Sequence, residues 1–337
     1  MRRRWKLILI FGAVLLSSFL YLNNTSRFST RSAGLPTLLA HRGVNQRFDI
    51  PVESNACLAV HLVHPEHDFL ENTIPSMQAA FDRGADVVEF DIHATTDGRF
   101  AVFHDRTLEC KTNGHGLTRA HTMKELKALD VGYGYTFDGG RTFPFRGKGI
   151  GLMPSMDEVF EKFPARSFLI DVKDNEPNDA LMLAERLSRL PAERHSKLMI
   201  FGRDATLAPL RARLPDIRMF SAGSIATCLL RYIGYGWTGI VPAPCRNSSL
   251  FIPINVVPWL WGWPNRFMNR MEAQGSSVIV MGRFPAGEIS PGLDSPQDFV
   301  RLPGDYNGGI WTNEVDQIAS ALKPKRGGDG IRSGDEK

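Results

Sequence analysis

Three carboxylates and two histidines fall at the ends of apolar runs spread over residues 38–173. In "GADVVEFDIH", residues 84–93, Glu89 and Asp91 stand two apart in an otherwise apolar strand, so they share one face. Two buried carboxylates in one small volume are costly without a partner. "FLIDVK" repeats the pattern with Asp171 and Lys173, "LLAHRG" ends in His41 and Arg42, and "AVFHD" ends in His104 and Asp105. Glu89, Asp91 and Asp171, with no thiolate among them, form an oxygen donor set suited to Mg²⁺ or Ca²⁺. Arg42 and Lys173 suit a phosphate, the arginine through its two-pronged guanidinium. His41 and His104 can exchange protons near neutral pH. Together these groups describe metal-assisted chemistry on a phosphate ester. Taken singly, each has a plainer reading, a salt bridge or a structural histidine, and the convergence of four strand ends outweighs it.

The elements that would position these residues follow from the pattern around them. Short apolar runs alternate with amphipathic stretches: "TLLAHRG", "DVVEFDIH", "FAVFHD", "SFLIDVK", "KLMIFG", "IRMFSAG", "TGIVPA", "SSVIVMG" and "GGIWT" read as strands, and "IPSMQAAFDRG" and "NDALMLAERLSRL" as helices. Thr122 with Glu125 and Ser155 with Glu158 carry capping-box signals. About eight strands alternating with helices predict an α/β fold, a closed TIM (β/α)8 barrel. In such a barrel the C-terminal strand ends form the rim on which active sites are built. Residues 105–165 interrupt the alternation as a long excursion after the third strand. Residues 235–267 do so again, with four of the six tryptophans (Trp237, Trp259, Trp261, Trp263) among prolines. Long loops within a compact domain are usually functional. The tryptophan segment is compatible with packed core, an apolar loop or a membrane-interface patch.

The N-terminus reads as targeting. "MRRRWK" precedes sixteen uncharged residues from Leu7 to Leu22, short for a span yet long for a cleaved signal, and without a small-x-small cleavage site. A retained signal anchor is expected, with the arginines in the cytoplasm and the catalytic domain outside it, in a periplasm or equivalent lumen. Residues 1–36 hold six basic residues and no acid, which against the net charge of +4 leaves −2 for the remainder. The folded part therefore lacks the basic surface of a nucleic-acid binder. The expected organisation is a stub, anchor and linker over 1–36, a barrel over 37–320, and an unstructured Gly-rich tail over 321–337. Cys57 with Cys110, or Cys228 with Cys245, would be disulfides in an oxidising compartment, and free buried thiols are the alternative.

At "HRG", "ENT", "GADVVEFDIHATTDGRFAVFHD" and "LIDVK" the chain resembles the glycerophosphodiester phosphodiesterase family, as it does at "TNGHG", "TMKELKALDVGYGYTF", "MPSMDEVF" and "YNGGIWTN". The resemblance runs over roughly 37–318 and is dense between 71 and 173. It implies a TIM barrel that uses a divalent cation to split a glycerophosphodiester into an alcohol and glycerol phosphate; membrane-interface contact by the tryptophan segment would make the substrate a lysophospholipid and the product lysophosphatidate. It further implies that His41 and His104 are the acid–base pair, that Arg42 and Lys173 contact phosphate, and that Glu71 of "ENT" is a site acid near metal or substrate. Glu89 and Asp91 match metal ligands. Asp171 departs from the pattern, standing one methylene short of the usual Glu. The family's tryptophan-bearing block on the seventh strand appears as "VIVMG". The 27 residues between "HRG" and "ENT" exceed the family's usual spacing and carry His61, His64 and His67, whose spacing would suit zinc on a helix. Pro65 breaks that helix, so a solvated lid loop is the competing reading. The rival to an enzyme is a membrane-anchored lipid-binding or scaffold protein on a decayed barrel.

Overall fold

The computed structural model describes residues 2–31, 34–49, 57–284 and 291–327. Nine strands run in chain order: β1 (Thr37–Ala40), β2 (Val87–Ala94), β3 (Phe100–Val102), β4 (Ser167–Val172), β5 (Leu198–Phe201), β6 (Arg218–Phe220), β7 (Ser249–Pro253), β8 (Ser277–Met281) and β9 (Gly309–Thr312). Eight pair in parallel in the order β6-β5-β4-β2-β1-β9-β8-β7, and β3 folds back antiparallel on β2. This is a nearly closed (β/α)8 barrel. No described backbone ladder joins β6 to β7, and side chains close that seam: Phe220 stacks on Phe251 with centroids 5.2 Å apart.

Strand alternation sorts the side chains. Leu39, Val87, Leu169, Phe220, Ile279 and Trp311 fill the barrel interior. Val88, Phe90, Ile92, Phe168 and Ile170 point outward, into the larger core beneath the helices. Helices Ile74–Asp82 and Pro177–Ser188 form where their apolar faces predict, and both expected capping boxes are made.

One expected strand is misplaced. "TGIVPA" lies in turns, and the next barrel strand, the sixth of the eight parallel ones, is instead Ser249–Pro253. Pro242 and Pro244 have no N–H to give a ladder, and Gly239 adopts φ +89°, whereas Leu250 and Ile252 alternate into the core.

The excursion after β3 is a packed lobe. Phe103, Leu108, Leu126, Tyr135 and Phe145 share a small core with Ala59, Leu62 and Leu70 of the long segment after "HRG". Cys57–Cys110 ties these two insertions together, and Cys228–Cys245 is the second disulfide. Helix Val315–Gly327 runs past the expected boundary at 320, and 328–337 lie outside the described residues. Arg2–Asn24 form a single helix whose stretch Arg3–Asn24 is long and apolar enough to cross a membrane.

Candidate active site

The register of the sheet gathers the carboxylates. Glu89 and Asp91 share the inward face of β2, and the parallel β2–β4 ladder sets Asp91 directly beside Asp171. One oxygen from each of the three lies within 4.8 Å of the others. At that spacing each ionised pair repels by about 3–4 kcal/mol at an effective dielectric near 20. Burial, then Asp91, pushes the Glu89 carboxyl well up, and burial also raises Asp171. Asp91 goes the other way: burial opposes its charge, but Lys173 and then Arg42 hold it well below the usual range. Lys173 Nζ sits 2.6 Å from Asp171 Oδ2 and 2.8 Å from Asp91 Oδ1, while Arg42 Nε lies 3.1 Å from Asp91 Oδ2.

Arg42 stands on a strained backbone with φ +57°, and its N–H donates to Glu89 Oε2. Gly43 follows at φ +81°, where a Cβ would meet Ser76 Oγ at 2.3 Å. The "HRG" turn therefore needs its glycine for both space and conformation. Asn72, at φ +59°, donates to Asp91 Oδ2 at 2.7 Å and accepts from the Asp91 N–H.

Glu71 lies beside the carboxylate group and is not part of it. It receives Arg42 Nη1 at 3.2 Å and Lys111 Nζ at 2.7 Å. Burial pushes Glu71 up, but Lys111 and then Arg42 outweigh it and hold the carboxyl at about 2. Lys111, only 1% exposed, also reaches Asp105 Oδ1, which in turn meets His104 Nδ1 at 2.7 Å. One continuous ionic chain thus links His104 to Asp171. It holds five carboxylates (Glu71, Glu89, Asp91, Asp105, Asp171) and three cations (Arg42, Lys111, Lys173), a deficit of two positive charges. The all-oxygen triad and that deficit fit a hard divalent cation.

Both histidines are poised neutral. Burial, then Arg42, lowers His41 to about 3 and His104 to about 4. His41 Nδ1 is 2.6 Å from Asn313 Oδ1, and its ring packs on Trp311 at 4.7 Å. Asp294 fixes Asn313 by accepting from both its backbone N–H and its side-chain amide. An Nδ1–H donated to Asn313 leaves Nε2 of His41 as the reactive nitrogen, 3.8 Å from Glu89. His104 donates likewise to Asp105. Behind it, His93 Nε2 meets the His104 carbonyl while its Nδ1 meets Asp174.

The structure thus brings His41, Arg42, Glu71, Glu89, Asp91, His104, Asp171 and Lys173 to one end of the barrel. It does not gather His61, His64 and His67: among the described residues Glu89, Asp91 and Asp171 are the only trio at metal-binding distance. His64 packs on Phe137 and His67 bonds Gln46 instead. Sequence reasoning passed over Lys111, Asn72, Asn313 and Asp294. Asn72 and Asn313 sat inside quoted motifs, whereas a lysine in a loop and an acid in a Pro/Gly stretch gave no signal.

A TIM-type barrel with an acidic, histidine-flanked mouth is a scaffold on which hydrolases are built. The sequence profile described as the glycerophosphoryl diester phosphodiesterase family matches residues 41–228, more than half of the chain. A human lysophospholipase D is 32% identical over 252 residues, 72% of this chain and 69% of its own. The chain belongs to the glycerophosphoryl diester phosphodiesterase family. A glycerophosphodiester phosphodiesterase of Caldanaerobacter subterraneus is 36% identical over 105 residues, 31% of this chain, and the chain spans only 39% of that relative's length. The glycerophosphoryl diester phosphodiesterase domain of a Mycobacterium tuberculosis protein superposes with a TM-score of 0.61 at 14% identity, covering 85% of this chain and 98% of the other. That likeness is one of fold.

Proposed function

We propose that the protein hydrolyses a glycerophosphodiester or a lysophospholipid, releasing an alcohol and glycerol phosphate or lysophosphatidate. The observation that carries this reading is the two-charge deficit around three crowded carboxylates, flanked by two neutral histidines. Glu89, Asp91 and Asp171 would hold Mg²⁺ or Ca²⁺, which would supply Lewis acidity toward the phosphoryl oxygens. Arg42 and Lys173 bind the phosphate and offset its charge. His41 and His104 divide the proton transfers, one taking a proton from the attacking hydroxyl or water and the other giving one to the leaving oxygen. Glu71, through Arg42 and Lys111, holds this clamp in place. Membership of the family and the lysophospholipase D among the relatives support both substrate classes.

The apolar helix serves as a signal anchor, with residues 1–36 as anchor and linker and the barrel over 37–320 outside the cytoplasm. The two disulfides support that side of the membrane. The test is turnover of glycerophosphocholine and lysophosphatidylcholine by purified protein with Mg²⁺ or Ca²⁺, beside the His41→Ala variant. The hydrolase reading fails if neither substrate is consumed. Calorimetry then speaks for the scaffold alternative if wild type and Glu89→Ala both show no cation site.

A further inference from the structure

The N-terminal helix meets the barrel through its last turn alone. Asn23 and Asn24 both donate side-chain amides to the Trp237 carbonyl, at 2.9 and 2.8 Å. Arg270 answers with Nη2 on the Asn23 carbonyl at 2.6 Å and Nη1 on Asn24 Oδ1 at 3.2 Å, and it also holds the Gly236 carbonyl. Ser26 Oγ donates to the Gly262 carbonyl, and Arg266 reaches the Leu22 carbonyl. The rest of the helix projects free of the barrel.

This clasp lies at a definite place in the topology. Gly236–Thr238 end the helix that leads to β7, and Arg270 is in the last turn of helix Asn265–Glu272, which leads to β8. Both mark the barrel end where strands begin. The carboxylates and histidines sit at the end where strands finish. The strand order separates the two again: in a ring of eight, β2 and β4 stand across from β7 and β8. Clasp and site are therefore on opposite ends and opposite walls, with Glu89 and Asp91 about 7 and 13 Å along β2 from its first residue. Around the clasp the surface is apolar. Phe28 is 66% exposed and Ile240 59%, both within three residues of clasp contacts. Leu230, 72% exposed, and Tyr235 are on the helix that ends there, and Trp261 is tied to that helix by its Nε1–H on the Ile233 carbonyl. Tryptophan and tyrosine at the end of a membrane-length helix match the headgroup layer.

We propose that the bilayer holding the N-terminal helix also receives this aromatic collar, so that the catalytic mouth faces away from it. The substrate is then a water-borne glycerophosphodiester and not a lipid of the anchoring bilayer. This narrowing rests on the hydrolase reading above, whereas the orientation does not. A barrel lying on its collar side still carries Glu89, Asp91 and Asp171 on its far wall, so tilting does not bring them to the lipid.

The test uses the full chain in phosphatidylcholine–phosphatidylglycerol vesicles, with a nitroxide at Leu230→Cys or His115→Cys, both exposed positions. The label at 230 is expected at headgroup depth, reached by oxygen and shielded from a water-soluble nickel chelate, and the label at 115 is expected in water. The orientation is overturned if the label at 115 lies at headgroup depth or the label at 230 in open water. In parallel, glycerophosphocholine should turn over within about twofold in vesicles and in detergent. A very-long-chain lysophosphatidylcholine, which stays in its bilayer, should turn over at least about tenfold more slowly in vesicles than in detergent micelles. Equal lysolipid rates in the two formats overturn the substrate assignment. If neither compound is consumed in detergent, the hydrolase reading and the substrate assignment fall together, and the label depths still decide the orientation.

Discussion

The two ends of the barrel are built on opposite physical rules. At the mouth, charge is buried and held in register by backbone: Asp91 pairs across a ladder with Asp171, Arg42 is fixed by a strained turn, and Lys111 is sealed between two carboxylates. At the clasp, apolar rings are left exposed and the polar contacts go mainly to backbone carbonyls. A mouth of this kind tolerates almost no change in charge, while the collar tolerates changes that leave its apolar area alone. The comparison separates catalysis from placement, and mutations should report on one without the other.

The largest effect is expected where charge is most crowded. Asp91→Asn should remove cation binding in calorimetry and lower diester turnover by about 10³-fold or more, as it deletes a ligand and the partner of Lys173 and Arg42 together. His104→Ala should cost about 10²–10⁴-fold in kcat while cation binding persists, which would divide proton transfer from metal binding within the mouth. Retained activity in either variant would break the assignment of the mouth as the reactive end.

Asn313→Ala should cost about 10–100-fold, since the side chain only orients His41. Its signature is a displaced pH profile of kcat with little change in KM, an outcome that a merely structural role would not produce. At the other end, Trp259→Ala combined with Trp261→Ala should leave soluble-diester turnover within about twofold, because neither ring touches the ionic chain. The change belongs in vesicle experiments, where the barrel should lose its fixed depth.

The smallest effect concerns stability. Glu71 is held at about 2 in the fold against a normal value near 4.5. Its stabilising contribution is complete above the unfolded value and is lost as pH falls from about 4.5 toward 2. Glu71→Gln should therefore flatten the acid limb of a Tm-against-pH curve, while also lowering Tm at neutral pH by stranding Lys111. An unchanged acid limb would remove Glu71 from the network's account.

Much of the mouth was legible because parity in a strand is a local property: Glu89 and Asp91 had to share a face, as did Asp171 and Lys173. The barrel followed from alternation, with one error at β7, where the apolar run "TGIVPA" looked more strand-like than "SLFIP". Lys111 was not legible. A lysine in a Gly-rich loop reads as solvated, and only folding closes Glu71 and Asp105 around it. Asp294 was hidden for a similar reason, since its partner Asn313 is 19 residues away and their contact arises from the return of β9 to β1. The aromatic segment announced itself by composition, yet its place opposite the carboxylates depends on strand order, which no local pattern encodes.

The seam between β6 and β7 gives the wall the mechanics of a strip bent round until its edges touch. Cys228, in the helix after β6, and Cys245, just before β7, form a covalent stitch across the connection between those edges. In the proposed orientation the two edges lie on or beside the side turned to the membrane. The strip's midpoint falls between β2 and β1, so Glu89 and Asp91 stand on a strand farthest from either free edge, with Asp171 one strand nearer. Amide exchange should be fastest along the seam and slowest at the midpoint. Precision at the mouth is then a matter of distance from an edge as much as of the bonds made there.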